Sequence, residues 1–364
     1  MNAPVSSPSF GQSIWLVTER ELGSKLRSKS FVISTVVMFV IVLAAVLWAG
    51  FASQTDSRTP IAVTSETAAA VDGNDAFDVI DAATADEARE LVRSGDVDAA
   101  LVPGGAEPLG FTVVFDDEAS NTLLQQLSIA PEVEVLNPGG TDGFLRYIIA
   151  IAFGGVFFAA ALTFGTTIAT SVVEEKQTRV VELLISAIPT RALLAGKVLG
   201  NTILAMGQIV GIAAVAVVGL TVTGQDFLIA GLGGPIAWFA VFFLFGFVLL
   251  AALFAAAGAM VSRQEDIGPT ITPLTYIVMA PYFLVIFFND NPVVLTIMSY
   301  VPFSAPVGMP VRIFVGEAQW WEPLLALVVM LAACIAAILV GAKIYENSLL
   351  RMGARVKLRE ALSR

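Results

Sequence analysis

The sequence predicts an α-helical polytopic membrane protein with six transmembrane helices and a small α/β extracytoplasmic domain inserted between helices 1 and 2. Three observations predict it. The 364-residue chain is 56% hydrophobic and only 14% charged, with a mean hydropathy of +0.80, a composition foreign to soluble domains. Uncharged stretches run through 31–52, 147–173, 198–225, 227–262, 267–289 and 323–342, and about 20 apolar residues suffice to cross a hydrocarbon layer of about 30 Å. Between the first two, residues 52–143 hold 18 Asp and Glu against Arg58, Arg89 and Arg93. The acid of a chain with net charge -11 is thus concentrated in its one soluble segment.

Residues 1–30 form an amphipathic lead-in. In WLVTERELGSKLRSKS, the apolar Trp15, Leu16, Leu22 and Leu26 stand among charges, which fits a short helix on the inner membrane surface as well as a plain basic flank. About thirty residues ahead of a 22-residue apolar run are too many for a cleaved signal peptide, so 31–52 is read as an anchor and as transmembrane helix 1.

The extracytoplasmic domain spans 53–143. IAVTS reads as a strand; TADEARELVRSG reads as a helix, with Thr84 and Glu87 in capping-box spacing and Gly95 as its stop. DAALVPG and FTVVFDD follow as strands and NTLLQQLSIA as a second helix. The expected order is strand, helix, strand, strand, helix, without a catalytic constellation. Its acidity suits attraction of cations or simple solvation.

Helices 2–6 lie in 144–344, interrupted by one dense charged insert. EEKQTRVVELLISAIPTRALLAGK, residues 174–197, carries seven charged side chains after 27 residues, Tyr147 to Val173, that carry none. Glu175 and Arg179 stand four apart and Arg179 and Glu182 three apart, with Val180, Val181, Leu183 and Leu184 on an apolar side. The spacing predicts one amphipathic helix over 174–189 on the cytoplasmic surface, stopped by Pro189. Such an element is either an interfacial turn or a docking surface for a soluble partner. A further uncharged stretch, 291–311, contains Pro292, Pro302, Pro306 and Pro310, and is read as a loop or a re-entrant segment rather than a crossing. The chain closes on a basic tail, 345–364.

Six crossings with both termini in the cytoplasm place 15 of the 20 Lys and Arg inside, leaving Arg58, Arg89, Arg93, Arg146 and Arg312 outside, as the positive-inside rule requires. The lone Cys334 and the absence of histidine exclude a disulfide framework, a thiolate or histidine metal centre and a Ser-His dyad. No Asp pair lies mid-span, which removes an intramembrane aspartyl protease. The string AGKVLG has Val198 where a phosphate-cradling loop needs Ser or Thr, so the chain is not expected to hydrolyse ATP.

Polar residues at helix depth are candidates for a transport path: Thr163, Thr166 and Thr167, then Asn201 and Gln208, then Thr270, Thr272 and Tyr276. The same side chains also serve as ordinary hydrogen bonds between helices. Gly154, Gly155, Gly165 and Gly258 are read as packing positions, and Pro269, Pro273 and Pro281 as a kink or break in helix 5. VPFSAP, with Pro302, Phe303, Ser304 and Pro306, is a candidate external gate or a cap on the bundle.

The insert resembles the cytoplasmic coupling segment of type 2 ABC transporter permeases, especially the sodium-efflux (Nat-type) group: Glu175-Lys176-x-x-Arg179-x-x-Glu182, then small residues, Pro189, and Gly196-Lys197. TERELGSKLRSKSF, GAMVSRQEDI, VPFSAPVGMPVRI and IYENSLLRMGARVKLREAL are similar to other segments of that family, in the same order. The resemblance implies that Glu174, Glu175, Lys176, Arg179, Glu182 and Leu183 form the contact with a cytosolic ABC ATPase. It also implies that ATP and magnesium are bound by that partner, that no cofactor is held in this chain, and that a second permease copy or paralogue completes the pathway in the plasma membrane. An ion or small amphiphilic solute would leave outward. No nucleic-acid partner is implied, and no cation site is visible for sodium. The competing reading is a non-transporting membrane sensor or scaffold whose external domain binds a ligand or protein.

Overall fold

The computed structural model describes residues 8–52, 58–72, 74, 76–104, 110–116, 143–351 and 356–363. The chain divides into two compact units, Met1–Gly50 together with Gly139–Arg364, and Phe51–Pro138.

In the larger unit, α1 (Phe10–Leu26) precedes six helices long and apolar enough to cross a membrane: α2 (Lys29–Ala52), α4 (Gly143–Gln177), α6 (Thr190–Val222), α7 (Asp226–Ala259), α8 (Ile267–Phe287) and α11 (Glu322–Leu349). The centre is α7, which packs on α4, α6, α8 and α11. Phe239, Phe243 and Phe247 recur every fourth residue and so line one face. That face meets α4, with Phe153 on Phe239 at 4.9 Å between centroids and with Phe157 on Phe243 and Phe164 on Phe247 edge to face, each at 5.8 Å. Lipid tails are as apolar as these rings, so shape fit rather than water exclusion holds the pair.

Gly258 shows how tight that fit is. A Cβ there would lie 2.7 Å from the Ala169 carbonyl oxygen and 2.9 Å from its Cα, both backbone atoms that cannot turn aside. Gly258→Ala is therefore expected to destabilise the bundle by about 1–3 kcal/mol, the usual cost of overpacking. The control is Gly268→Ala, where a Cβ meets nothing within 4 Å. Thermal unfolding in detergent compares the two, and equal melting temperatures would show that α4 and α7 are not in close register.

Two expectations need correction. The proline-rich stretch 291–311 is not a loop but two short helices, α9 (Pro292–Tyr300) and α10 (Ala305–Val315), packed on each other. Three of the four prolines avoid a helix interior, Pro310 alone lying inside α10: Pro292 occupies the first helical turn, where no amide bond is lost, behind Asn291, whose Oδ1 accepts from the Val293 and Val294 amides. Pro302 lies between the helices and Pro306 in the first turn of α10. Of the kink or break expected in α8, the break is absent, since the helix runs continuously through Pro273 and Pro281. A last helix, α12 (Leu358–Leu362), is tied back to the bundle, the Val356 amide donating to the Met260 carbonyl at 2.9 Å.

The smaller unit carries β1 (Thr59–Val63), β2 (Phe77–Asp81), α3 (Ala85–Ser94), β3 (Ala99–Pro103) and β4 (Phe111–Val114). The sheet order is β2-β1-β3-β4, parallel except for the β3–β4 pair. Alternation along β1 and β3 sends Ile61, Val63 and Leu101 to one cluster and Ala62, Ala100 and Val102, with Ala88 and Val92 of α3, to the other. Helix α3 begins as its sequence dictates, the Thr84 hydroxyl accepting from the Glu87 amide, and ends at Gly95 with φ +79°. Strand β2 went unread because only Phe77 of FDVID is buried, while Asp78 to Asp81 are exposed on an edge strand. The order among the described residues is strand, strand, helix, strand, strand, and NTLLQQLSIA lies outside them.

Candidate coupling site

The single helix expected over 174–189 is two helices. Glu174, Glu175 and Lys176 belong to the last turn of α4; the chain then reverses at Arg179, and α5 (Val180–Ala187) follows. Arg179 has φ +57°, the only positive φ at a non-glycine among the described residues. A left-handed residue cannot continue the α4 ladder, so the expected pairs of Glu175 and Glu182 with Arg179 do not form among the described residues. Pro189 then directly precedes α6.

Glu175 points inward instead. The Lys197 ammonium, 1% exposed, donates to Glu175 Oε1 at 2.9 Å, to Glu21 Oε1 at 3.0 Å and to the Ser171 hydroxyl at 2.8 Å. Arg20 closes the cluster by donating to both carboxylates. Two charges of each sign are thus gathered where α1, α4 and α6 meet, which is how ionisable groups persist away from water. The backbones approach because a Cβ at Gly196 would strike Val17 Cβ at 2.5 Å, and one at Gly200 would sit 2.9 Å from Glu21 Cβ.

Sequence reasoning read Lys197 only as part of the Gly196-Lys197 motif and gave Arg20 and Glu21 no role, although Gly196-x-x-x-Gly200 is the small-residue spacing of close helix pairs. It laid the apolar side of α1 on the membrane surface and did not give the face that packs on the protein. Ser13, Val17, Thr18 and Glu21 are buried, whereas Trp15, Leu16 and Leu26 are exposed.

Burial alone would raise the Glu21 carboxyl, but the Lys197 charge and the hydrogen bonds from Lys197 and Arg20 outweigh it and hold the group below its ordinary value of 4.5. A carboxyl lowered in the folded state stabilises fully above its ordinary value and loses that contribution as pH falls through the lowered one. Acidification is therefore expected to loosen α1, which a spin label at Leu16 would register as rising mobility. Mobility unchanged well below the carboxylate range would count against an ionic tether.

Lys176 is fully buried. Its ammonium donates to the Ala259 carbonyl at 2.6 Å and to the Ser348 carbonyl at 3.0 Å, at the C-terminal ends of α7 and α11. The last carbonyls of a helix lack intrahelical donors and carry its negative dipole end. Lys176 thus pins two helix ends to α4 and offers nothing to a soluble partner.

Of the six expected contact residues, Glu174, Arg179, Glu182 and Leu183 are exposed, Leu183 by 73%. Gln264 Nε2 donates to Glu174 at 3.1 Å, and Gln177, Arg263, Gln264 and Glu265 line a polar cleft of about 400 Å³ beside it.

Among the described residues, the hydrogen bonds of the pathway candidates join none of them across helices, and only Thr166 reaches another candidate, the Thr163 carbonyl at 3.2 Å. Thr166, Thr270 and Thr272 return their hydroxyls to carbonyls of their own helices, Thr163 and Tyr276 are exposed, Asn201 donates to the Lys197 carbonyl, and Gln208 donates to Met38 Sδ. Thr167 is half-buried. The gate candidates lie in the turn between α9 and α10 and at the start of α10. Ser304 is buried and donates to the Met298 carbonyl at 2.6 Å, Pro306 fills the space left by Gly246, and Pro302 and Phe303 are half-buried.

Among the described residues, six helices long and apolar enough to cross a membrane, with a charged, bent segment between two of them, define a multi-pass membrane protein. Residues 29–343 match the family described as ABC-2 family transporter protein, and the chain belongs to that family. Over 93% of its length, and 95% of the relative's, it is 25% identical to the uncharacterized protein YhaP of Bacillus subtilis (strain 168). The uncharacterized protein MJ1024 of Methanocaldococcus jannaschii is also 25% identical, over 61% of this chain and 54% of its own. No solved structure matches. Members of the family are membrane components that typically work with an ATPase partner.

Proposed function

We propose that this chain is the membrane-spanning permease subunit of an ATP-driven exporter, coupled through α5 to a separate cytosolic ATPase that binds ATP and magnesium. The supporting observation is the contrast within 174–183. Glu175 and Lys176 are anchored inside the bundle, while Arg179, Glu182 and Leu183 stand exposed just beyond a fixed bend. A push on α5 therefore reaches the ends of α4, α6, α7 and α11 through rigid contacts rather than through a loop. The coupling contact is narrowed to Glu174, Arg179, Glu182 and Leu183, with Glu175 and Lys176 as the supports behind it.

The basic residues favour the α5 end as cytoplasmic, with both termini there, the sheet unit outside and the chain in the plasma membrane. Two copies, or this chain and a paralogue, would form one pathway. An ion or small amphiphilic solute is moved outward, sodium being the candidate that the Nat-type resemblance supplies. Affinity purification from native membranes tests the reading. Capture of an ATPase subunit is expected with the unaltered chain and is expected to fall at least tenfold with Leu183→Glu or Arg179→Glu. Unchanged capture with both variants would refute docking on α5.

A further inference from the structure

At the same end of the bundle, a cavity of about 700 Å³ opens between α6 and α11. Its inner walls are apolar, formed by Val198, Leu199, Val248, Ile338 and Leu339. Its rim is charged, with Arg191 in the first turn of α6 and Lys343 and Glu346 in the last two turns of α11. The gradient is set by helix geometry. From Arg191 to Leu199 the axis advances about 12 Å at 1.5 Å per residue, so one ligand can touch the charges and the apolar wall together.

The rim charges do not cancel. Arg191 Nε pairs with Glu346 Oε1 at 2.7 Å, and Lys343 is an exposed cation without an ion-pair partner among the described residues. The apolar side is open, Leu199 being 39% and Leu339 66% exposed. A free aqueous anion would have no use for the apolar wall. A neutral lipid would leave the extra cation unmatched.

We infer that this groove is a binding site for one anionic phospholipid, its phosphate at Lys343 and Arg191 and an acyl chain along Leu199 and Ile338. Basic pockets between helices at a membrane face recognise such headgroups, each Lys or Arg contributing about 1 kcal/mol. The site is independent of the ATPase reading, because none of its residues belongs to α5.

Native mass spectrometry of the purified full chain, in micelles containing equal phosphatidylglycerol and phosphatidylcholine of matched chain length, tests it. Preferential retention of phosphatidylglycerol is expected, falling about fivefold in Lys343→Ala, the factor that one such contact represents, and restored in Lys343→Arg. Leu199→Trp, which fills the groove, is expected to reduce retention without changing the headgroup preference of what remains. Equal retention of the two lipids, retention unaffected by Lys343→Ala, or displacement by glycerol phosphate alone would overturn the inference. So would quantitative crosslinking of Leu199→Cys to a second copy or to Ser6→Cys of the same chain, since the groove would then be filled by protein.

Discussion

Lys197→Met is expected to destabilise the transmembrane unit by about 3–5 kcal/mol, the range for breaking a buried ion cluster by removing one partner, and to free α1 from α6. Lys197 is the 1%-exposed cation between the Glu21 and Glu175 carboxylates, whose side chains are only 7% and 13% exposed. Without it, Arg20, which is 39% exposed, would have to balance both. The cost comes from stranded charge, not from lost volume, because methionine is nearly isosteric with the lysine stem. Neutralising the partners should therefore restore most of the loss, and Lys197→Met/Glu21→Gln/Glu175→Gln is expected to melt well above Lys197→Met alone. If the triple variant melts no higher, the cluster is held by packing and not by charge.

Arg312→Met should cost a similar amount at the α10 end of the bundle. One Arg312 nitrogen donates to both Glu322 oxygens, at 3.1 and 3.0 Å, and the other reaches the Ser299 hydroxyl at 3.0 Å. Glu322 also accepts from the Tyr300 hydroxyl at 3.0 Å and from the Gln319 amide at 2.6 Å. These contacts fasten α9, α10 and the start of α11 to one another, with Arg312 only 5% exposed at its side chain. Removing the guanidinium leaves a desolvated carboxylate with neutral donors only. Arg312→Lys keeps the charge but not the fork and should fall between. Adding Glu322→Gln to Arg312→Met should recover stability, and protease resistance of the α9–α10 hairpin would follow the same order. A wild-type melting temperature for Arg312→Met would contradict the assignment.

The six crossings were legible because each is a local run of apolar residues, and length alone decides whether such a run spans a bilayer. Helix α3 was legible for an equally local reason, since Thr84, Glu87 and Gly95 carry its start and stop within one segment. The Lys197–Glu21 pair was not, because its members lie 176 residues apart and nothing periodic links them. The face of α1 that packs on α6 was not legible, because the apolar Trp15, Leu16 and Leu26 mark a different, exposed side. Trp15 and Leu16 turn outward, while Val17 meets Gly196 and Glu21 meets Gly200. The coupling insert was half legible. Its i to i+4 charges spell a helix, but one left-handed residue at Arg179 divides it, and that reversal separates the buried Lys176 from the exposed Leu183.

Whether an ATPase docks on α5, as proposed, can be read from site-specific photocrosslinking in native membranes. A photoreactive residue in place of Leu183, and another in place of the comparably exposed Val328 on α11, would be irradiated and their adducts identified. A protein carrying a phosphate-cradling loop is expected to be joined to position 183 and not to position 328. Lipid adducts alone at position 183, or a partner without such a loop, would contradict it.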